Sequence, residues 1–263
     1  MRRGRLPVVL AVPALLGLLF LLLPLLGLLV RAPWHGLPHL LGDSTVRQAL
    51  RLSLITATSA TVLSVVLGVP LAWVIARMRF PGRRLVRALV TLPLVLPPVV
   101  GGVALLYAFG RKGVFGPALS ALHVDLSFTT AGVVAAETFV AMPFLIVTVE
   151  GALSSSDLRF EEAAATLGAS TWTTFRRVTV PLVGPSVAAG AVLTFARALG
   201  EFGATITFAG NLPGTTQTLP LATYIALETD PQSAIALALV LLAVSIAVLL
   251  LLRERWLRPG PQS

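Results

Sequence analysis

The chain of 263 residues has no cysteine, three histidines and a single lysine, Lys112. Without thiols it has neither a disulfide framework nor a cysteine-based metal site. Lys112 is followed by Gly113, whereas a phosphate-cradling Walker A loop needs Lys followed by Ser or Thr. The chain therefore does not bind ATP in that manner, and any ATP-driven work must come from a partner. Scattered histidines without cysteine also argue against a hydrolytic or redox centre. His35 and His39 flank Pro38 with no further ligand nearby, so they read as a solvated loop rather than a metal site. Charge is scarce as well: 12% of residues are Asp, Glu, Lys or Arg, about half the share of soluble domains.

What fills the chain is hydrocarbon, 56% hydrophobic residues with a mean hydropathy of +0.90, which places it in a membrane. Six spans are predicted. Leu6–Val30 follows the basic start Met1–Arg5. It is too long for a signal-peptide core and ends in a poor cleavage site, Val30-Arg31-Ala32-Pro33. It reads as a retained first helix bent by Pro13 and Pro24. Leu52–Ala76 is rich in Ser, Thr and Ala, which suits close packing in lipid. Ala88–Phe109 carries Pro93, Pro97, Pro98 and Gly101-Gly102. Such broken helices persist where protein or a watery cavity satisfies the freed backbone, so this span is either a pathway wall or a kinked packing helix. Phe128–Val149, interrupted by Glu137 and Pro143, then Pro185–Ala209 and Ala234–Leu252 complete the set. The connections Arg31–Arg51, Gly110–Ser127 and Asn211–Ser233 fall on one side, and Leu219–Leu227 is apolar enough to re-enter the bilayer.

The net charge of +9 and pI near 11.6 invite a nucleic-acid reading, but the distribution dismisses it. Segments 1–5, 77–87, 157–177 and 253–258 hold 14 of the basic residues, and the three opposite segments hold 5. By the positive-inside rule both termini are cytoplasmic, and the basicity is topological.

One polar island interrupts the hydrocarbon, from Glu161 and Glu162 through Gly168 and Arg176-Arg177 to Pro181. Leu158–Leu167 reads as a short helix with Asp157 as N-cap, acidic residues in its first turns and Gly168 as a left-handed C-cap. Phe160, Ala163, Ala164 and Leu167 share one face, small enough for close approach by another protein. Ser170 caps a second turn carrying Trp172, Phe175 and Arg176, and Pro181 marks the next segment. At membrane depth, Arg197 and Glu201 stand four apart on one helix face. They form either a structural ion pair or part of an anion route, with Glu137 a further possible member.

The spacing Glu162-Ala163-Ala164, Gly168 and Val178-Thr179-Val180-Pro181 resembles the cytoplasmic EAA signature of ABC importer permeases, with Val where Ile and Leu are commonest. The run Leu92–Gly101 with Gly110–Gly113, and the run Phe195–Phe208 continuing through Asn211-Leu212-Pro213-Gly214-Thr215-Thr216-Gln217-Thr218, are similar to the molybdate branch of that family. Sulfate and thiosulfate permeases are related and share the EAA loop. The resemblance implies an all-α polytopic membrane protein with a type I ABC importer permease fold. It divides the chain into a first helix and loop (1–47), a permease domain (48–252) with a coupling loop at 151–184, and a cytoplasmic tail (253–263). It implies a multi-pass protein of the bacterial cell membrane that moves molybdate or tungstate inward by alternating access. Glu161, Glu162, Ala163, Ala164, Gly168 and Pro181 are expected to dock an ATPase, and Asn211, Thr215, Thr216 and Gln217 to meet an external molybdate-binding protein. The implied assembly is a homodimer with two ATPase subunits, and ATP and magnesium belong to the ATPase; this chain holds no cofactor and is not an enzyme. A sulfate or thiosulfate importer is the alternative. A secondary anion carrier is disfavoured because only one helix is strongly broken, and a membrane enzyme because no catalytic cluster is present.

Overall fold

The computed structural model describes residues 8–256. Arg2, Arg3, Arg5 and Arg258, which count toward the predicted orientation, and the end of the predicted tail lie outside the described residues. Among those described there are helices and turns but no strand. Five helices are long and apolar enough to cross a membrane: α1 (Val8–Val30), α3 (Ser44–Arg77), α7 (Thr130–Ser155), a continuous helix over Thr171–Leu199, and α13 (Pro231–Trp256). A short helix, α2 (Leu37–Leu41), lies between α1 and α3. Most side chains of α1 are exposed leucines and valines, suited to lipid rather than to a protein core.

The spans run further than their hydropathy suggests. α3 starts at Ser44, not Leu52, because Asp43 caps it by accepting from the Thr45 N–H at 2.6 Å. That hydrogen bond, with others from Thr45, holds the exposed Asp43 carboxyl below its ordinary range. The 34 residues of α3 extend about 51 Å at 1.5 Å per residue, well beyond a hydrocarbon core of about 30 Å.

The predicted third span is not one helix. α4 (Arg83–Thr91) passes into a 3-10 turn (Leu92–Leu94), and α5 (Pro98–Phe109) then departs at 116°. Pro97 lies in extended backbone at φ −55°, ψ 132°, as a residue before proline must, so the pair Pro97-Pro98 makes the bend. α4 carries Arg83, Arg84 and Arg87 on one side and packs Val86 and Val90 against the core. A further short helix, α6 (Gly116–Ala121), lies in the loop after α5.

The predicted fifth span, Pro185–Ala209, is also shifted. A helical turn α9 (Thr171–Thr174), a wide π-type turn (Phe175–Thr179) and α10 (Val180–Leu199) form one helix that ends at Leu199. Pro181 does not begin it. The wider turn, in which the Val180 N–H donates to the Phe175 carbonyl, relieves the clash that a proline ring makes with a normal helical turn. After a break at Gly200-Glu201-Phe202 the chain makes α11 (Gly203–Phe208) and, past a loop, α12 (Leu219–Thr229).

α3, α7 and α10 form the central bundle. At one end it is packed by Val69, Ile75, Leu145, Ile146, Val149, Leu153 and Val183; in the middle by Ala57, Ala60, Ala141, Ala198 and Leu199. Small residues let helix backbones approach closely in lipid. α12 and α13 seal the opposite end against Val46 and Ala49. α5 and α11 pack beside α7 through Leu105, Ala136, Val140, Ala204 and Phe208. Their approach is so close that a Cβ on Gly102 would lie 2.7 Å from the Thr207 Cβ and 2.9 Å from the Ala204 Cα.

Candidate functional site

Two polar regions interrupt this apolar bundle. The first lies where α10 breaks. Arg197 ends in the last turn of α10 and Glu201 stands just beyond it, so the two do not share one helix face as predicted. They meet across the break, Nη2 to Oε2 at 2.7 Å, as a charge contact without a well-directed hydrogen bond. The other carboxylate oxygen accepts from the Ala204 N–H at 2.9 Å, so Glu201 satisfies a donor at the start of α11. Backbone freed by a helix break inside a membrane needs such a partner.

Glu137 on α7 joins this region. It is 1% exposed, accepts from the Thr56 hydroxyl of α3 at 2.9 Å, and lies within electrostatic range of Glu201. Its second oxygen has no partner among the described residues. Arg197 pairs with one buried carboxylate, Glu201, and its own side chain is 27% exposed against 1% for Glu201. Arg197 is the less buried partner of the pair. Thr56, which sequence reading missed, is one more polar residue in a Ser- and Thr-rich span and carries no distinguishing local signal.

The second region is the arginine-rich end. α8 (Arg159–Thr166) begins within one residue of prediction, although Leu158 occupies the cap position and Asp157 instead accepts from the Arg159 N–H at 3.0 Å. At its other end Gly168 has φ +81°. The Ala169 N–H donates to Ala164 and the Gly168 N–H to Ala165, both at 3.0 Å, the paired Schellman closure of a helix. Ser170 caps α9, its oxygen accepting from the Thr173 N–H at 3.2 Å. Phe160, Ala163, Leu167 and Trp172 are exposed here, Leu167 at 89% and Trp172 at 67%. Trp172 stacks on Phe175, whose ring meets Trp73 of α3 edge-on. Glu162 and Pro181 are exposed, whereas Glu161 turns inward to Arg77 at 2.9 Å. Arg87 of α4 pairs with the buried Glu150 of α7 at 2.8 Å.

The loop before α12 divides. Its tip, Leu212–Thr215, is exposed, and the Thr215 carbonyl accepts from the Thr130 hydroxyl at 2.8 Å. Thr216 and Gln217 are buried, because the Thr216 oxygen accepts from the Leu212 N–H at 2.8 Å and closes the loop from inside. Those two residues are therefore withdrawn from the predicted outward-facing contact set. Asn211 is half-buried, and Thr215 remains accessible.

Residues 64–260 match the family described as binding-protein-dependent transport system inner membrane component, and the chain belongs to that family. It is a multi-pass membrane protein with the fold of type I ABC importer permeases. The chain is 50% identical over 225 residues to the molybdenum transport system permease protein ModB of Mycobacterium tuberculosis, covering 86% of this chain and 85% of that one. It is 40% identical over 211 residues to the protein of the same name from Escherichia coli K12, covering 80% and 92%. The sulfate transport system permease protein CysT of E. coli K12 is 37% identical over 213 residues, covering 80% and 77%. Among solved structures, a bacterial ABC transporter involved in the import of the acidic polysaccharide alginate superposes with a TM-score of 0.77 at 19% identity. That match covers 95% of both chains, and it concerns the fold alone.

Proposed function

We propose that this chain is the membrane-spanning subunit of an ATP-driven importer that carries molybdate, or the similarly shaped tungstate, into the cytoplasm. The observation that carries the reading is the 50% identity to a molybdenum permease across 86% of the chain. The sulfate relative, at 37%, supports sulfate as the second reading, since both cargoes are tetrahedral dianions. In this reading the chain itself catalyses nothing and holds no cofactor; ATP and its magnesium reside in a partner ATPase. Two copies of the chain form the pathway about a two-fold axis. The arginine-rich end, with α8 and the exposed Phe160, Ala163, Leu167 and Trp172, faces the cytoplasm and seats an ATPase subunit by helix-in-groove docking. Glu162, Ala163, Ala164 and Gly168 form or shape that contact, and Pro181 follows it in the helix leading back into the membrane. A loaded binding protein meets the opposite end, including the tip at Thr215 near Asn211. Arg197 is the basic side chain at depth that a passing dianion encounters, and Glu201 and Glu137 keep its charge from holding the anion too long.

The test is reconstitution of the permease, its ATPase and its binding protein in liposomes, with molybdate, tungstate and sulfate supplied separately. Hydrolysis and uptake stimulated by the molybdate- or tungstate-loaded binding protein, and lost in Glu162→Arg, support the proposal. Stimulation by sulfate alone moves the cargo and keeps the mechanism. Uptake without ATPase overturns the importer reading.

A further inference from the structure

We infer that Glu161 does not belong to the ATPase contact but forms, with Arg77, an internal strut that carries movement between α8 and the spanning helices. The inference rests on the reading of α8 as the docking helix. α8 lies against the start of the Thr171–Leu199 helix but buries none of its residues, so no side chain of α8 is buried against α3 or α7. Every hydrogen bond and ion pair among the described residues that links α8 to a spanning helix runs through Glu161. Its Oε1 accepts from Arg77 Nη2 at 2.9 Å and from Nε at 3.2 Å. The same Nη2 donates at 2.7 Å to the hydroxyl of Ser156, the residue that caps α7 and in turn donates to the Leu153 carbonyl at 2.8 Å. One guanidinium thus joins the last residue of α3, the end of α7 and the first turn of α8.

The pair is shielded, with side chains 11% and 14% exposed. Charge-assisted bonds in such surroundings exceed those of solvated surface pairs. Arg77 also suits the carboxyl end of α3, where a cation opposes the helix dipole. Glu162 follows one residue later, about 100° further round the helix, and is exposed. The two adjacent carboxylates therefore point different ways: Glu162 toward a partner, Glu161 toward the bundle. Arg77 and Glu161 are positioning residues, and their loss lets α8 move without pulling α3 and α7.

The experiment compares Arg77→Glu, Glu161→Arg, the double exchange, the conservative Glu161→Gln, and Glu162→Arg in the assembled permease, ATPase and binding protein. The single variants at Arg77 and Glu161 are expected to keep the ATPase in co-purification and to hydrolyse ATP, with molybdate uptake per ATP falling about tenfold. The double exchange restores uptake to within about twofold, since it re-forms the ion pair between positions 77 and 161 with its charges reversed. Glu162→Arg loses the ATPase, and Arg77→Glu does not restore it. Amide hydrogen exchange on the same complexes provides a readout that needs no transport: Glu161→Gln speeds exchange across residues 159–169 at least about fivefold and leaves 141–153 unchanged. Loss of the ATPase in Glu161→Arg without rescue overturns the strut, as does unchanged exchange in Glu161→Gln. A wild-type complex without ATP-driven uptake overturns the importer reading instead, and the exchange measurement still decides the strut.

Discussion

Arg197 pairs with the buried Glu201, which lies within electrostatic range of the buried Glu137, and part of the Arg197 side chain is exposed. The two readings of this cluster, lock or route, separate by substitution. Lysine at 197 keeps one charge and one contact to Glu201 but loses the planar donor fork that matches an oxyanion. On the proposed route, Arg197→Lys lowers molybdate uptake about tenfold at normal permease yield; unchanged uptake would reduce the cluster to a lock. Glu201→Gln keeps an acceptor for the Ala204 N–H and removes the charge facing Arg197. Breaking one side of a buried pair costs about 3–5 kcal/mol, and the partly exposed Arg197 brings this down to about 1–3 kcal/mol, because water can replace part of the lost contact. A lower thermal midpoint in detergent checks it. The approach of Glu137 is not legible in the chain: it stands on α7, and its partner Thr56 lies 81 residues away on α3. Hydropathy registers both only as polar residues in apolar runs.

At the scale of elements, the sequence is most legible where structure is made by neighbours in the chain. α8 and its closing glycine are local: the helix begins one residue later than the capping pattern puts it, with Leu158 rather than Asp157 at the cap, and Gly168 closes it in the left-handed conformation as predicted. Gly168 has φ +81° with open space around it, so Gly168→Val acts through the backbone alone, at about 1–2 kcal/mol. The expected outcome is ATP hydrolysis that continues while uptake falls, since the turn after α8 no longer holds its direction; normal uptake would count against the coupling role. Span ends and bends are less legible, because hydropathy marks where lipid is tolerated and not where helical hydrogen bonding stops. α3 gains a turn and more at its start from Asp43, and the continuous helix Thr171–Leu199 begins from the Ser170 cap of α9, both in polar sequence. The double proline announces a break in the third span, but its 116° turn depends on α5 packing on α11. That packing is testable. Gly102→Ala places a methyl group against the Ala204 backbone and Thr207 and costs about 1–3 kcal/mol. Gly184→Ala, where a methyl group meets nothing within 4 Å, is neutral or stabilising by about 0.5–1 kcal/mol. Opposite shifts of the two thermal midpoints are expected.

At the scale of the molecule, orientation is an expectation drawn from charge, and it can be measured. The Arg77–Glu161 pair brings two of the basic segments, 77–87 and 157–177, to one end of the bundle, as positive-inside counting requires of segments sharing a compartment. The exposed tip at Thr215 lies at the other end, beside Thr130 at the start of α7. The absence of cysteine turns this into a clean measurement, because any thiol introduced is the only one in the chain. Leu167→Cys and Thr215→Cys both place the thiol on exposed surface, so each reacts if the reagent reaches its side. With a membrane-impermeant maleimide applied to spheroplasts, Thr215→Cys is expected to label at once and Leu167→Cys only after the membrane is opened. Adding the ATPase should then protect the thiol at 167 and leave the one at 215 free, because a helix seated in a groove covers its own exposed face. Labelling in the reverse order would invert the protein in the membrane and put α8 where no cytoplasmic ATPase can reach it. Labelling in the expected order without protection at 167 would preserve the topology and move the ATPase contact away from the Leu167 face of α8.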